Sequence, residues 1–446
     1  MSELPKGWKL VSLKDISSKP QYGYTTKSTN DGAVKYLRTT DLTSGNVNWD
    51  LVPFCAEPPT DITKYLLVDG DIVISRAGSV GFHSLIKKPP QNTVFASYLI
   101  RFKPLSCVKP QYLSHFFNSK GYWEQITKQS AGVAVQNVNA TKLSELLIPI
   151  APLNEQIRIA NKLDSILAKV DKAQARLDKI PAILKRFRQS VLAAATSGEL
   201  TSSKVEGWQN SSLSKLLSAI ADCPHSTPKW TEEGKLCVRT TAFKPFKLDL
   251  SSQGYVSEET YIQRTKRLKP LSGDILYSRE GAILGIACQI PSGIELCMGQ
   301  RMLVMRAAND IDAKYLTIYL NSPKITDIVK TLTLGNAAPR INMSTIKNFD
   351  ISYPTPSEQR EIVEVVERLF TKADKVEQQY LDAKARLDRL TQSILAKAFR
   401  GELVPQDPND EPAEKLLERI VAEKELSKPK KVTRKRATKA KTAEEE

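Results

Sequence analysis

Apolar residues recur along two long stretches of the chain, at steps that alternate between three and four positions. The first stretch covers residues 154–200 and the second covers residues 357–403. This spacing is the heptad pattern of helices that pack on each other along a narrow seam. At about 1.5 Å per residue, each stretch can form a helix of roughly 65–70 Å. One such helix cannot bury its apolar stripe alone, so we expect the two helices to pair as an antiparallel coiled coil.

The positions of the predicted coiled-coil core are apolar in both stretches. They are Ile159, Leu163, Ile166, Val170, Leu177 and Leu184 in the first stretch, and Ile362, Val366, Leu369, Val376, Leu387 and Leu390 in the second. A dedicated binding face for a partner protein is the alternative interpretation of the same stripe. Pro181 lies inside the first stretch and removes a backbone donor, so it predicts a kink or a short break in that helix.

The repeat is not confined to the helices. Glu155-Gln156 returns as Glu358-Gln359, 203 positions later, and GDIVISRAG at 70–78 returns as GDILYSREG at 273–281 with the same offset. A period near 200 residues indicates the duplication of a whole domain, because the units of solenoid proteins are far shorter.

Outside the long helices, strand-like runs alternate with short amphipathic segments. The run VDGDIVISR predicts a turn that leads into a buried strand, and YLSHFFNSKGYWEQI predicts an amphipathic helix. We therefore expect an α+β fold, in which two similar globular domains with mixed or mostly antiparallel sheets are separated by two long helices, with a pseudo-twofold relation from the duplication. The predicted segments are a first globular domain at 1–150, a first long helix at 151–200, a second globular domain at 201–353, a second long helix at 354–403, and a short helix with a basic, disordered tail at 404–446.

Charge and cysteine usage narrow the class of protein. The 65 Lys and Arg residues exceed the 49 Asp and Glu residues and give a net charge of +16. This excess favours a polyanionic partner, most simply nucleic acid, with a membrane surface as the other candidate. The sequence contains no run of 18 apolar residues, so no membrane span is expected. The 6 cysteines include no Cys-x-x-Cys pair, which favours reduced thiols and a cytoplasmic location.

Motifs for catalysis are missing from the sequence. It has no P-loop, no glycine-rich dinucleotide fingerprint and no quartet of zinc ligands. Only 3 histidines occur, and none lies near a convincing Cys or Ser partner, which leaves little for acid–base catalysis. Cys223-Pro224-His225 is too isolated to predict a metal site. The sequence therefore favours a non-catalytic binding protein without a cofactor of its own.

DNA recognition requires side chains that reach the edges of bases. Arginine reads guanine with two hydrogen bonds, and Asn or Gln reads adenine. Two different modules on a rigid spacer would read two half-sites separated by unread base pairs. The candidate DNA-binding residues on predicted loops are Arg38, Thr39, Ser75, Arg76, Gln136 and Asn137 in the first domain, and Arg239, Thr240, Ser278, Arg279, Asn336 and Arg340 in the second. Arg76 and Arg279, at strand ends in the repeated pattern, could instead be structural ion-pair residues or phosphate clamps. Because both domains share them, they are poorer candidates for base discrimination than the residues that differ.

The chain resembles the specificity subunits of type I restriction–modification systems. Three runs carry the resemblance, namely LPKGWKLVSLKDI near the start, the central run from PLNEQIRIANKL to AAATSGEL, and PSEQREIVEVVERLF with LTQSILAKAFRGELVPQ. The resemblance implies that each globular domain reads one half of an asymmetric, bipartite target in double-stranded DNA, and that the coiled coil sets the spacer. It also implies assembly with two modification subunits, which bind S-adenosylmethionine and methylate adenine. Restriction subunits, which use ATP and Mg, would add translocation and cleavage.

Two other classes of protein stay open at this point. A stand-alone DNA methyltransferase would need the cofactor motifs that the sequence lacks. A scaffold with two protein-binding domains fits the duplication and the heptad seam equally well, although it has no need of a net charge of +16. Salt-dependent binding to DNA would separate a DNA reader from a scaffold.

Overall fold

The computed structural model describes residues 4–42, 47–130, 137–201, 207–334 and 339–426. The basic tail predicted after residue 426 lies outside this range. The chain divides into two units, of which unit 1 comprises residues 1–175 and 384–446, and unit 2 comprises residues 176–383. Both units combine helices with short strands, so the predicted α+β class with a duplicated domain is confirmed.

The described residues of unit 1 form three small sheets. Their strands are β1 (Lys9–Ser12), β2 (Gln21–Tyr22), β3 (Ser28–Thr29), β4 (Lys35–Leu37), β5 (Phe54–Cys55), β6 (Ile72–Ser75), β7 (His83–Leu85), β8 (Thr93–Phe95), β9 (Leu99–Phe102) and β10 (Leu147–Ile150). One antiparallel sheet has the order β2-β9-β6-β7, and a mixed sheet has the order β3-β5-β4-β8, in which β4 and β8 run parallel. Strands β1 and β10 form an antiparallel pair.

The helices of unit 1 cover the antiparallel sheet. They are α1 (Pro110–Phe116), α2 (Lys120–Ser130), α3 (Ala140–Ser144) and α4 (Leu153–Leu177), joined by α11 (Ala413–Leu426) from the far end of the chain. Ile72 and Ile100 of the sheet share one apolar core with Tyr112 of α1 and Tyr122 of α2. This core supports strand β6, which the candidate DNA-binding residue Arg76 follows.

Unit 2 repeats this arrangement and adds to it. Its strands are β11 (Gln209–Ser212), β12 (Leu217–Asp222), β13 (Trp230–Thr231), β14 (Lys235–Val238), β15 (Phe243–Lys244), β16 (Lys247–Leu248), β17 (Gly254–Val256), β18 (Ile275–Ser278), β19 (Ala287–Gln289), β20 (Leu296–Met298), β21 (Met302–Ala307) and β22 (Asp350–Tyr353). The sheets β12-β21-β18-β19 and β13-β17-β14-β20 have the same strand orders as their counterparts in unit 1. The hairpin β15-β16 corresponds to residues of unit 1 that lie partly outside the described ranges.

In the part of the chain that the structure describes, six helices accompany these strands. They are α5 (Ile180–Thr196), α6 (Glu258–Thr265), α7 (Ala313–Leu320), α8 (Pro323–Thr333), α9 (Met343–Lys347) and α10 (Pro356–Ala398), the last with 43 residues. Helix α6 is an addition, because the corresponding residues 57–64 of unit 1 are not helical. No helix in the described ranges combines the length and the apolar character that crossing a bilayer needs.

The first long helical stretch is interrupted near Pro181. Helix α4 ends at Leu177, and α5 begins at Ile180 with Pro181 in its first turn. Proline suits a first turn, because its missing N–H has no partner to lose there. The predicted break is therefore confirmed, while the second stretch runs as the unbroken helix α10.

Within each unit the long helices pack in an antiparallel manner. In unit 1, Ile159 and Leu163 near the start of α4 share a core with Leu395 and Ala398 at the end of α10. In unit 2, Val191 and Ala195 near the end of α5 share a core with Ile362 and Val366 at the start of α10. Arg188 of α5 also donates to Asp374 and Glu377 of α10 at 2.7 and 2.6 Å.

The predicted seam is dense at its ends and thin in the middle. Ile159, Leu163, Leu184, Ile362 and Val366 are buried, whereas Ile166, Val170, Leu177, Leu369 and Leu387 are half-buried. Two positions that we expected in the core are instead exposed, since Val376 is 43% and Leu390 48% accessible. Charged residues and alanine dominate the stretch 371–390, so little apolar surface lies there to cover either side chain.

The repeated Glu-Gln pair ties the start of each long helix to its globular domain. The Gln156 side chain is buried, and its Nε2 donates to the carbonyls of Cys107 and Ala151 at 3.0 and 2.9 Å. Its Oε1 accepts from the backbone N–H of Lys109 at 2.9 Å. Gln359 repeats this role, since its Nε2 donates to Pro354 O and its Oε1 accepts from Asp312 N. A buried amide that satisfies backbone groups on two segments holds them in register.

Candidate nucleic-acid interface

Three segments of unit 1 converge just beyond the end of β6. The backbone N–H of Arg76 donates to the carbonyl of Tyr98, which immediately precedes β9, at 2.9 Å. The carbonyl of Arg76 accepts from Val138 N at 3.0 Å, and Ala77 forms a β-bridge with Asn137. The predicted residues Arg76 and Asn137 are thereby brought together at one edge of the antiparallel sheet.

The Arg76 side chain packs on an aromatic ring and keeps its charge unpaired. Its guanidinium carbon lies 5.2 Å from the centre of the Tyr22 ring. Arg76 Nε and Asn137 Oδ1 are both buried without a hydrogen-bond partner. Among the described residues, no carboxylate forms an ion pair with Arg76. The half-buried guanidinium is therefore available to a ligand that accepts hydrogen bonds.

The equivalent arginine of unit 2 has a different environment. Arg279 follows β18 as Arg76 follows β6, and its N–H donates to the carbonyl of Arg301 at 3.0 Å. Its guanidinium donates to both carboxylate oxygens of Asp222 at 3.0 and 2.8 Å, and to Ile341 O at 3.3 Å. Both side chains are nearly buried, at 10% and 14% exposure. Arg279 is thus a structural ion-pair residue. This role is one of the alternatives to DNA reading that the sequence left open for it.

In the second pair of equivalent arginines, Arg38 and Arg239, the carboxylate-paired residue is in unit 1 and the ring-stacked residue is in unit 2. In unit 1, Arg38 donates to both oxygens of Asp41 at 3.2 and 2.9 Å, and this hydrogen bonding raises the pKa of Arg38. In unit 2, Arg239 is exposed, and its guanidinium carbon lies 4.0 Å from the centre of the Trp230 ring. Asp41 is replaced by Ala242 in the repeat, so no carboxylate is available at that position.

A glycine lets the Trp230 ring lie against the sheet. A Cβ atom on Gly254 would come within 2.5 Å of the Trp230 ring, so a side chain at position 254 would displace the ring. The backbone N–H of Arg239 is fixed by Gln253 Oε1 at 2.8 Å. Gly254 beneath the Trp230 ring and the hydrogen bond from the Arg239 N–H to Gln253 thus both position the Arg239–Trp230 stack.

The remaining predicted residues divide by exposure. Ser75 and Ser278 are buried, and their hydroxyls donate to Ala77 O and Ile286 O, so they close their own turns and do not face a ligand. Thr39 and Thr240 are half-buried in the short 3₁₀ turns after Arg38 and Arg239. Asn137 is half-buried and Arg340 is exposed, whereas Gln136 and Asn336 lie outside the described residues.

Sequence reasoning missed four residues at these sites. Tyr22 and Trp230 stack on the arginines, and Tyr98 and Arg301 occupy equivalent exposed positions before the central strands, at 58% and 59% exposure. Comparing the two copies position by position would have found Tyr98 and Arg301, because they differ at the same 203-residue offset. In the ranges that the structure describes, no group of three His, Cys, Asp or Glu side chains could hold a metal ion.

Two α+β units of one topology, each with arginines along its sheet edges, define a duplicated binding protein. The sequence profile of the type I restriction modification DNA specificity domain matches residues 5–182 and 246–383. The chain is 31% identical to the type I restriction enzyme StySPI specificity subunit of Salmonella potsdam, over 98% of this chain and 99% of that protein. It is 30% identical to the EcoKI specificity subunit of Escherichia coli K12, with the same coverage.

The fold agrees with a solved structure. A chain from a study of complex assembly and conformational transition of the type I R-M system superposes with a TM-score of 0.72 at 19% identity, over 90% of this chain and 100% of that chain. The protein belongs to the family of type I restriction–modification specificity subunits.

Proposed function

We propose that each unit reads one half of an asymmetric, bipartite target in double-stranded DNA. The observation that carries this proposal is the divergence of equivalent arginines between the two units. One topology is used twice, but its sheet edges present different chemical groups, as two different half-sites require. The net charge of +16 supplies the attraction for the phosphate backbone.

The long helices set the number of unread base pairs between the half-sites. Helix α10 supports this role, since one unbroken helix of 43 residues contributes residues 356–383 to unit 2 and residues 384–398 to unit 1. A helix lengthens by about 1.5 Å per residue, so the length of the helical segment fixes a distance. The Gln156 and Gln359 contacts tie both globular domains to the helices.

The chain acts as a non-catalytic subunit of a larger complex. Its relatives are named specificity subunits of type I restriction enzymes. Two modification subunits, which carry S-adenosylmethionine, methylate adenine in the sequence that this chain selects. Restriction subunits contribute ATP- and Mg-dependent translocation and cleavage. The role of this chain is to position those activities on the DNA.

The test is the methylation pattern of a host that expresses the chain with its cognate modification subunit, read by single-molecule sequencing. The expected result is one asymmetric motif with a fixed unread gap, methylated on both strands. Replacement of residues 207–353 by the corresponding domain of a relative should change one half of the motif and keep the other. A verified complex that gives no motif would contradict the proposal and favour the scaffold alternative.

DNA binding by the assembled complex gives a second, independent measurement. A DNA reader loses affinity steeply as salt rises, because phosphate contacts release counterions, whereas a protein scaffold has no such dependence. Binding that stays constant between about 50 and 200 mM salt would count against DNA recognition.

A further inference from the structure

The two units hold their equivalent arginines in opposite ways. In unit 1, Arg38 is paired with a carboxylate and Arg76 is stacked on Tyr22. In unit 2, Arg279 is paired with a carboxylate and Arg239 is stacked on Trp230. At these two positions, each unit therefore has one arginine neutralised by a carboxylate and one stacked on a ring, and the two units differ in which position is which.

The two arrangements leave different chemistry for a ligand. A bidentate carboxylate occupies the donors on one edge of a guanidinium and cancels its charge. An aromatic ring covers only the face, so the in-plane N–H donors and the charge remain free. The ring also restricts the side chain to one plane, which lowers the entropy lost when both donors engage one partner.

The residues around both stacked arginines support a binding role for these side chains. Arg76 Nε and the neighbouring Asn137 Oδ1 are buried polar atoms without a hydrogen-bond partner. A buried polar atom without a partner is unfavourable unless a ligand or water satisfies it. At the other site, Gly254 leaves room for the Trp230 ring, and Gln253 fixes the backbone of Arg239.

We propose that the stacked arginines are the guanine-reading residues of this protein, Arg76 for the half-site of unit 1 and Arg239 for the half-site of unit 2. Each guanidinium donates two hydrogen bonds to O6 and N7 of a guanine in the major groove. Tyr22 and Trp230 are positioning residues that hold the guanidinium plane. Arg38 and Arg279 stabilise their own domains and read no base. This inference rests on the proposed function of the two units.

The experiment measures the methylation motif of the complete complex with single substitutions. R239Q should change one G·C position in one half of the motif to A·T, because glutamine pairs with adenine in the same groove. R239A should relax that position, with preference for guanine falling about 10- to 100-fold. R76Q and R76A should act in the same way on the other half. The gap and the remaining positions should stay unchanged.

The chain offers a matched control for each substitution. R38Q changes the carboxylate-paired equivalent of Arg239 and should leave the motif intact. Y22D places a carboxylate beside Arg76, as Asp222 lies beside Arg279, and should relax the guanine position of unit 1 although Arg76 is still present. Y22F keeps the ring and should preserve that position. A role of Tyr22 in stability alone would not alter one base of the motif.

The outcomes separate this inference from the proposed function. A wild-type complex without a bipartite motif overturns the proposed function and this inference with it. A wild-type motif that R76Q and R239Q both leave unchanged overturns only the guanine assignment. Uniformly weaker methylation of an unchanged motif also overturns it, because that result assigns the arginines to phosphate contacts.

Discussion

Tyr22 and Asp222 occupy the same register position in the two units, opposite Ile100 in β9 and Leu303 in β21. Each contacts an arginine that lies two strands away in the same sheet: Tyr22 stacks on Arg76, which follows β6, and Asp222 forms a bidentate ion pair with Arg279, which follows β18. One residue on the edge strand of the sheet thus decides whether an arginine shared by both copies is free or neutralised. After duplication, two recognition domains can diverge in this way without losing the arginine.

Removal of Arg279 should destabilise unit 2 much more than removal of Arg76 destabilises unit 1. R279A leaves the Asp222 carboxylate without its partner in a site where it is 14% exposed, which should cost about 3 kcal/mol. R76A breaks no ion pair and should cost less than about 1 kcal/mol. Urea unfolding of the two variants measures both values. Equal losses would contradict a structural role that is specific to Arg279.

The buried amides of Gln156 and Gln359 should each contribute strongly to stability. Q156A leaves the carbonyls of Cys107 and Ala151 and the N–H of Lys109 without this partner, and the expected loss is about 2–4 kcal/mol. Q359A should behave in the same way in unit 2. Q378A, whose exposed amide donates to the exposed carboxylate of Asp382, is the control and should change the free energy of unfolding by less than about 0.5 kcal/mol. Thermal or urea unfolding that shows no difference between Q156A and Q378A would disprove the assignment.

Acid should destabilise unit 1 through His83. Burial lowers the pKa of His83 to about 4, below the value of about 6.5 for an exposed histidine. The unfolded chain therefore binds a proton that the folded chain rejects as pH falls from about 6.5 to 4. Above pH 6.5, His83 does not affect the free energy of unfolding. Below pH 6.5, His83 lowers the free energy of unfolding by an amount that reaches about 3 kcal/mol at pH 4.

A histidine variant isolates this contribution. H83N removes the titration, so its free energy of unfolding should change less between pH 7 and 4.5 than that of the wild type. The other ionisable groups are present in both proteins, so the difference between the two profiles reports mainly on His83. An identical pH profile for wild type and H83N would show that His83 does not contribute.

Shortening the paired helices should change the gap in the DNA target and nothing else. Deletion of residues 167–173 from α4 and residues 384–390 from α10 removes one heptad from each helix while keeping the same faces inward. Seven residues correspond to roughly 10 Å, or up to about three base pairs. The number of unread base pairs in the methylation motif of the complex measures this change directly.

A substitution outside the packed seam controls for the deletion. V376A changes an exposed position of α10, so it should preserve both the gap and the half-sites. A deletion variant with an altered half-site, or with an unchanged gap, would refute the role of the helices as a spacer.

Much of the fold follows from the sequence, because its signals are periodic. The heptad stripe places the long helices, Pro181 places the break between α4 and α5, and the 203-residue offset defines the duplicated domain. The thin middle of the seam was also visible in the charged composition of residues 371–390, but the heptad positions alone did not separate Val376 and Leu390 from buried neighbours. Periodicity indicates which residues lie on the same face of a helix, but it does not indicate how much of each side chain is buried by its neighbours.

The candidate site could be predicted only in part. Arg38, Arg76, Arg239 and Arg279 were named from residue type and motif, but their environments depend on partners that strand register brings together. Tyr22 lies more than 50 positions before Arg76, and Asp222 lies 57 positions before Arg279. Ser75 and Ser278 belong to the same motif as these arginines, yet they are the last residues of buried strands. The motif alone did not distinguish the arginines, which lie beyond the strand ends, from the preceding serines, which are buried.

The discontinuity of unit 1 has a consequence for how the chain is made. Its apolar core combines Trp8 and Ile159 with Leu395, Phe399 and Ile420, so residues from both ends of the sequence complete one core. Unit 2 is continuous and can fold as soon as residue 383 has left the ribosome. During synthesis the N-terminal part of unit 1, residues 1–175, must wait, with part of its apolar surface exposed, until more than 200 further residues have been added. A nascent chain that stalls before α10 is complete is therefore the form of this protein most exposed to aggregation and to chaperone capture.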